Sequence, residues 1–257
     1  MHTPTLGIII TTTNRNIERV KAQLLPQLSE ADEVIVSHQI FKNGVNPETL
    51  SEMQKLHPHI QYSVLYSQWV SKNRNNGIRL LTADIGHLCD DDLLFLPNYA
   101  SLIRDAHMRN SNAIITFQVL NDENEYQFRV KEGYVPRYKL GNIFCHGITF
   151  KRKAIHEKWL QFDENFWLGM PNFIGEETLF LDTCHRAWIR TYHINIPIVR
   201  HPNESTGTHI DMKTVKARTH LYKHMFGWFS TFFFIPVFAY KLRFLYRKKC
   251  PHSSFSE

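Results

Sequence analysis

With 257 residues, 43% of them hydrophobic, and a net charge of +6, the chain has the material for a sizeable core, which excludes a disordered or fibrous polymer. The charge is uneven: residues 1–209 carry 21 Lys+Arg against 22 Asp+Glu and residues 210–257 carry 9 against 2, so −1 is followed by +7. A basic tail on a near-neutral body excludes a broad nucleic-acid-binding face and points to one localised anionic partner, a membrane surface.

In chain order, Leu6 to Ile10 is a short, β-branched apolar run, as expected of a strand buried on both faces. Asn14 or Asn16 can cap a helix whose apolar positions Ile17, Val20, Leu24 and Leu28 recur at helical spacing, and EVIVS then makes a second buried strand. The alternation continues with LSEMQKLHP as a helix, IQYSVLYS as a strand, NRNNGIRLLTA as a helix and IGHLCDD as a strand. Such alternation predicts an α/β fold with a wound, mostly parallel sheet flanked by helices, whose ligands sit beyond the carboxyl ends of its strands. Thr11 to Asn14, Ser37 to Gln39 and the triplet Asp90, Asp91, Asp92 all fall there.

Farther on, NAIITFQVL and NIFCHGITFKR read as strands, and EETLFLDTCHRAW as a helix with Leu179, Phe180 and Cys184 on one side. No internal repeat or Gly/Ser linker interrupts the chain, so residues 1–209 are expected to form one domain and residues 210–257 an appendage. Cys89, Cys145, Cys184 and Cys250 lack Cys-x-x-Cys or Cys/His spacing, and no secretory signal precedes the first strand, so a reducing, cytoplasmic setting is expected.

Three adjacent carboxylates repel one another unless water, a cation or hydrogen bonds compensate them. In an extended stretch Asp90 and Asp92 point one way and Asp91 the other. A hard divalent cation would take such oxygens and keep coordination sites for a substrate phosphate. A solvated acidic turn or a helix cap is the plainer reading of an isolated triplet.

The context favours the cation. SKNRNNGIRLLTADIGHLCDDDLLF, Ser71 to Phe95, resembles the S-x-x-R-N-x-G-I … A-x-G-D-I … D-D-D run of family 2 glycosyltransferases with the GT-A fold. IIITTTNR resembles that family's first strand and turn, FDENFWLGMPNFIGEETLFLDTC the stretch carrying its catalytic base, and IPIVRHPNESTG the stretch after it. The order and spacing agree over roughly 200 residues.

The resemblance implies roles residue by residue. Asp90 and Asp92 would hold Mn²⁺ or Mg²⁺ against the donor diphosphate, with Asp91 as their companion on the donor side. Thr12, Asn14, Arg74 and Asn75 match positions that hold the nucleotide. The base falls on Glu177 of GEETLF, with a longer side chain than the family's usual Asp, while Glu176 would orient acceptor or loop, or itself be the base. His201 would be either a neutral metal ligand or a donor to the leaving phosphate. After the second strand many relatives carry an acidic residue toward the nucleotide base, whereas this chain has SHQ, with His38 or Gln39 as substitutes.

Met225 to Tyr240 is about sixteen apolar or small residues broken by Pro236, short of the roughly 20 needed to span a bilayer, and KLRFLYRKK follows it. A membrane-associating, helical tail is expected, peripheral on the inner face of the plasma membrane. The implied whole is a metal-dependent, inverting glycosyltransferase moving a sugar from a nucleotide diphosphate donor, a UDP-sugar, to a glycan or lipid-linked acceptor in surface polysaccharide assembly. Two alternatives are a nucleotidyltransferase, against which the glycine-free TTTNRN counts, and a non-catalytic membrane adaptor with a degenerate site.

Overall fold

The computed structural model describes residues 3–14, 16–40, 51–53, 55, 59–67, 69–128, 130–165, 175–202 and 212–228. Two compact units partition the chain: Met1–Asn165 with Glu176–Asn203, and Phe166–Gly175 with Glu204–Glu257.

The first unit is a mixed α/β sheet flanked by helices. Its strands are β1 (Leu6–Thr13), β2 (Glu33–Gln39), β3 (Ile60–Leu65), β4 (Ile85–Asp90), β5 (Leu94–Phe95), β6 (Ile114–Leu120), β7 (Gly133–Tyr134), β8 (Ile148–Lys151) and β9 (Thr191–Arg200). They lie in the order β3-β2-β1-β4-β8-β6-β9-β5, with β7 on β9. β1 and β2 are buried along nearly their whole length, which is why they read as unbroken apolar runs.

The four strands of the first half are parallel, with Thr11 opposite both Ser37 and Asp90. This puts the ends of β2, β1 and β4 in one row. The expectation of a mostly parallel sheet stops there, because β8 enters between β4 and β6 antiparallel to both. β6 and β9 are again parallel, and His201 leaves the carboxyl end of β9 with its N–H bonded to the Leu120 carbonyl at 2.9 Å. Since β8 runs the other way, its beginning lies at the edge where its parallel neighbours end.

Helix α1 (Ile17–Arg19) runs on through one π-type stretch, Val20–Leu24, and one 3₁₀ turn, Leu25–Gln27. Pro26 has no N–H for a regular ladder, yet Ile17, Val20, Leu24 and Leu28 are all buried, as their spacing requires. Helix α2 (Val70–Leu80) lies on β1 through Gly77, where a Cβ would come within 2.2 Å of Ile9 Cγ2. Helices α3 (Tyr99–Arg109), α4 (Arg152–His156) and α5 (Glu176–Arg186) complete the layers.

Two expectations change. The segment expected as a strand from Asn142 is 3₁₀ turns at Arg137–Asn142 and Cys145–Gly147, and only Ile148–Lys151 is extended. Gly147 explains part of this, since a Cβ there would stand 2.7 Å from the Phe117 carbonyl, so the turn packs closer than a side chain permits. The helix expected over LSEMQKLHP is helical at residues 51–53 and otherwise lies largely outside the described residues.

In the second unit, helix α6 (Met212–Phe226) buries Ala217, Leu221 and Met225. Gly175 adopts φ +97°, the left-handed region, and a Cβ there would meet Leu221 Cδ2 at 2.4 Å. Among the described residues no helix is long and apolar enough to cross a membrane. Most of the aromatic and basic tail, residues 229–257, lies outside the described residues.

Candidate active site

The polar face of α2 is buried, which is unusual for a helix on a sheet and is explained by the partners it meets. Asn76 donates to Ser37 Oγ at 2.8 Å and Ser63 Oγ at 3.0 Å, and Asn73 to the Thr12 carbonyl at 3.2 Å. Arg74, 5% exposed, donates to Glu176 Oε1 at 2.8 Å and to Asp90 Oδ1 at 3.2 Å. One guanidinium thus ties the end of β4 to the start of α5, its planar fork satisfying two carboxylates at once.

The triplet divides as the alternation of an extended chain requires. Asp91 turns toward the first loop, accepting from Thr12 Oγ1 at 2.7 Å, Asn16 Nδ2 at 3.1 Å and Arg19 Nη2 at 2.5 Å. Burial still raises its carboxyl above the ordinary range, against these donors.

Asp90 and Asp92 turn the opposite way, toward two histidines. His146 Nδ1 lies 3.4 Å from Asp90 Oδ2, and His201 Nε2 lies 3.5 Å from Asp92 Oδ1. The two imidazoles stack with centroids 4.4 Å apart and planes 5° from parallel. Burial alone would raise the Asp90 carboxyl, but the His146 hydrogen bond and the charges of Arg74, His146 and His201 hold it well below the usual carboxylate range. Burial, then the neighbouring His146, lowers the affinity of His201 for a proton.

One ligand atom each from Asp90, His146 and His201 lies within 4.8 Å of the others, a spacing a single metal ion can bridge. His146 Nε2, His201 Nδ1 and Asp92 Oδ1 are buried without a hydrogen-bond partner. One carboxylate oxygen and two imidazole nitrogens make a donor set that a divalent cation can take.

Glu177 stands beside Glu176 in the first turn of α5. Burial and then the Glu176 charge push its carboxyl up to about 8, against the pull of Arg74. Of the two glutamates, Glu176 is thus engaged by an arginine, and Glu177 holds a carboxyl whose proton is exchanged near neutral pH.

The other residues singled out by sequence lie as follows. Thr12 is buried and its hydroxyl is given to Asp91. Asn14 keeps a buried Oδ1 with no partner. Asn75 is turned from the aspartates: it donates to the Phe162 carbonyl at 3.0 Å and accepts from the Phe162 N–H at 2.8 Å. Gln39 donates to the Trp69 carbonyl, and His38, beside the Tyr62 hydroxyl at 2.6 Å, is kept neutral by burial, which lowers it to about 4. Sequence reasoning missed His146, Asn73, Asn16 and Arg19. His146 sits 56 residues from Asp90 in no recognisable spacing, and its only signal is a histidine enclosed by the apolar run FCHGITF.

No family model matches the chain, and no curated protein matches its sequence. Solved structures do. The structure of residues 1–349 of Staphylococcus aureus TarS aligns with TM-score 0.59 at 14% identity, covering 77% of this chain and 60% of that one. The fold is shared with a glycosyltransferase. The same protein in complex with UDP-GlcNAc aligns with TM-score 0.62 at 11% identity over 85% of this chain and 65% of that one. Its UDP complex aligns with TM-score 0.57 at 14% identity, over 77% and 60%. The chain therefore spans less than two thirds of the length of the TarS structures it matches.

Proposed function

We propose that this chain is a metal-dependent, inverting glycosyltransferase of the GT-A type, using a nucleotide diphosphate sugar, a UDP-sugar, as donor. The observation that carries the reading is the joining of Asp90, His146 and His201, through Arg74, to the Glu176–Glu177 pair at the carboxyl edge of the sheet. The fold shared with a protein solved with UDP-GlcNAc supports the donor class.

Asp90, Asp92 and His201, with His146, would hold Mn²⁺ or Mg²⁺. Such an ion supplies Lewis-acid stabilisation of the charge that gathers on a leaving diphosphate. Glu177 takes the proton of the acceptor hydroxyl as that oxygen bonds to the anomeric carbon and the bond to the diphosphate breaks, and a carboxyl held near neutral pH suits the task. Arg74 keeps Glu176 in place and thereby fixes the first turn of α5. Asp91 acts through the loop of Thr12 and Asn14, which it anchors for the nucleotide. Asn75 holds the segment at Phe162 along the donor side.

The acceptor is a glycan or lipid-linked sugar in surface polysaccharide assembly. Residues 210–257, with nine cations, are a tail holding the chain peripherally on the anionic inner face of the plasma membrane. Removing residues 229–257 should release the protein from vesicles and leave UDP binding intact. Calorimetric titration of UDP with and without Mn²⁺, repeated on Asp92→Asn, tests the site. Binding that needs both Mn²⁺ and Asp92 is expected, and metal-independent binding unaffected by the substitution would refute the metal assignment.

A further inference from the structure

We infer that the first unit carries a second binding surface, at the end of its sheet opposite the candidate active site. It is a strip of exposed aromatic rings set among cations, and it takes an anionic glycan. Pyranose rings lie on the indoles, and the glycan's carboxylates or phosphates meet the cations. The inference rests on the proposed function only for a glycan as the acceptor, and the surface uses none of the residues of that site.

Two helices end in the same way. After α4 the Trp159 N–H donates to the His156 carbonyl and the Leu160 N–H to the Ile155 carbonyl, both at 3.1 Å. After α5 the Trp188 N–H donates to the His185 carbonyl at 3.0 Å and the Ile189 N–H to the Cys184 carbonyl at 2.9 Å. This paired closure turns on one left-handed residue, a place that glycine usually takes. Here it is tryptophan both times, at φ +52° and +65°, where a bulky side chain is strained. Leu160 and Ile189, the next residues, are buried, whereas Trp159 and Trp188 are 85% and 86% exposed. Neither the backbone nor burial accounts for an indole at these two positions, and contact with a ligand does.

The two indoles share one surface, because Lys158 Nζ donates to the Ala187 carbonyl at 2.5 Å and so joins the residues that precede them. From Trp188 the strip continues to the Arg190 guanidinium, 6.0 Å from the centroid of the exposed Tyr134 ring, and Tyr134 meets Tyr192 edge-on at 5.4 Å across the β7–β9 pair. Its place in the sheet is fixed by register. β8 ends with Lys151 opposite Ile85, and β9 begins with Thr191 opposite Ile114, which are the starts of β4 and β6. Asp90 stands at the other end of the six-residue β4, roughly 17 Å of strand away.

Charge and rigidity then choose the ligand. Residues 152–158 and 185–190 hold five Lys+Arg against one Glu, on a body of residues 1–209 whose net charge is −1, so positive charge is gathered at this end and complements an anionic partner. The C–H face of a pyranose lies flat on the face of an indole, which is electron-rich. The helix closures hold both indoles at one spacing, and such preorganisation suits a stiff polymer that repeats, whereas a fluid bilayer accepts any spacing. A near-neutral body lacks the broad basic face that a nucleic-acid backbone requires. A glycan held here stays beside the enzyme between transfers, which raises the effective concentration of its growing end.

The test uses the full chain in native affinity electrophoresis, with gels cast with polygalacturonate, a carboxylated glycan, with phosphomannan, a phosphorylated one, and with neutral dextran. Retardation by at least one of the charged glycans, stronger than by dextran and weakened by salt, is expected. Trp159→Gly and Trp188→Gly should each lower that affinity by about tenfold or more. Both variants should melt at or above the native temperature, because glycine adopts the left-handed conformation freely, whereas a merely structural role would make them melt lower. Retardation by neither charged glycan, or retardation unchanged in both variants, would overturn the inference. So would binding to phosphatidylglycerol vesicles or to oligothymidylate that depends on the two indoles in place of the glycans, which would give the surface to lipid or to nucleic acid. The calorimetric UDP titration separates the two proposals. UDP binding without retardation defeats this one alone, and retardation without UDP binding defeats the transferase reading while this one stands.

Discussion

The two sides of the aspartate triplet are built in opposite ways from the same residue type. On one side Asp91 accepts three hydrogen bonds from Thr12, Asn16 and Arg19 and is compensated by the protein. On the other, Asp90 and Asp92 face His146 and His201, where three buried polar atoms have no hydrogen-bond partner. A satisfied carboxylate holds two loops together, whereas unsatisfied groups in a buried cluster are candidates for binding a ligand. Adjacent positions thus separate into structure and chemistry because an extended chain sends neighbours to opposite faces.

Breaking the chemical side should have the largest effect. Glu177→Gln is expected to lower the rate of sugar transfer by about 10²–10⁴-fold with Mn²⁺ and UDP binding retained, as read by single-turnover kinetics and calorimetry. Arg74→Gln removes the tie between the two parts of the site and leaves the buried Glu176 and the half-buried Asp90 without their cation. A loss of about 3–5 kcal/mol in urea unfolding is expected.

The sharpest comparison is between neighbours. Asp90→Asn should weaken Mn²⁺ binding by about 10–100-fold and should also lower stability at neutral pH, since it removes a carboxylate that His146 and Arg74, against the effect of burial, hold well below the usual range. Asp91→Asn should leave Mn²⁺ affinity preserved while loosening the loop held by Thr12, Asn16 and Arg19. If both variants lose metal equally, the division of the triplet is wrong.

The smallest effects are those of pH. With a carboxyl at about 8, transfer at saturating donor should rise with pH and level off above that value, a limb that Glu177→Gln abolishes. Stability moves the other way. The pKa of Glu177 in the folded chain lies above its ordinary 4.5, so its contribution is fully present below that pH and is lost as pH rises through about 8. Glu177→Gln should therefore melt several degrees higher than the native chain at pH 9 and match it at pH 4.

The part of the fold legible in the sequence was the half in which each element answers to local pattern. Ile8, Ile9 and Ile10 are buried on both faces and therefore form an apolar run, and Ile17, Val20, Leu24 and Leu28 cover one side of a helix at its own period. Beyond Asp92 that link weakens. Helix α3 went unforeseen, although its buried Tyr99, Ala100, Ile103 and His107 carry the helical period. The strand expected from Asn142 proved to be turns that leave only four residues extended.

The site follows the same boundary. Asp90 and Asp92, Arg74 and Glu177 stand in local runs of characteristic composition, and the structure brings Asp90, Arg74 and the Glu176–Glu177 pair together at one edge of the sheet. His146 was not legible, because what brings it to Asp90 is the direction of β8, and nothing in the residues Ile148 to Lys151 states which way a four-residue strand will pair. The sequence by itself determined the parallel half of the sheet, the row of strand ends and the acidic and basic groups placed there, since periodicity and side-chain chemistry are local. Only the tertiary structure decided that Asp91 belongs to the scaffold, that Glu176 rather than Glu177 is paired with Arg74, and that a second histidine closes the cluster. Those outcomes depend on which distant groups compete for one buried charge, a question that local pattern does not pose.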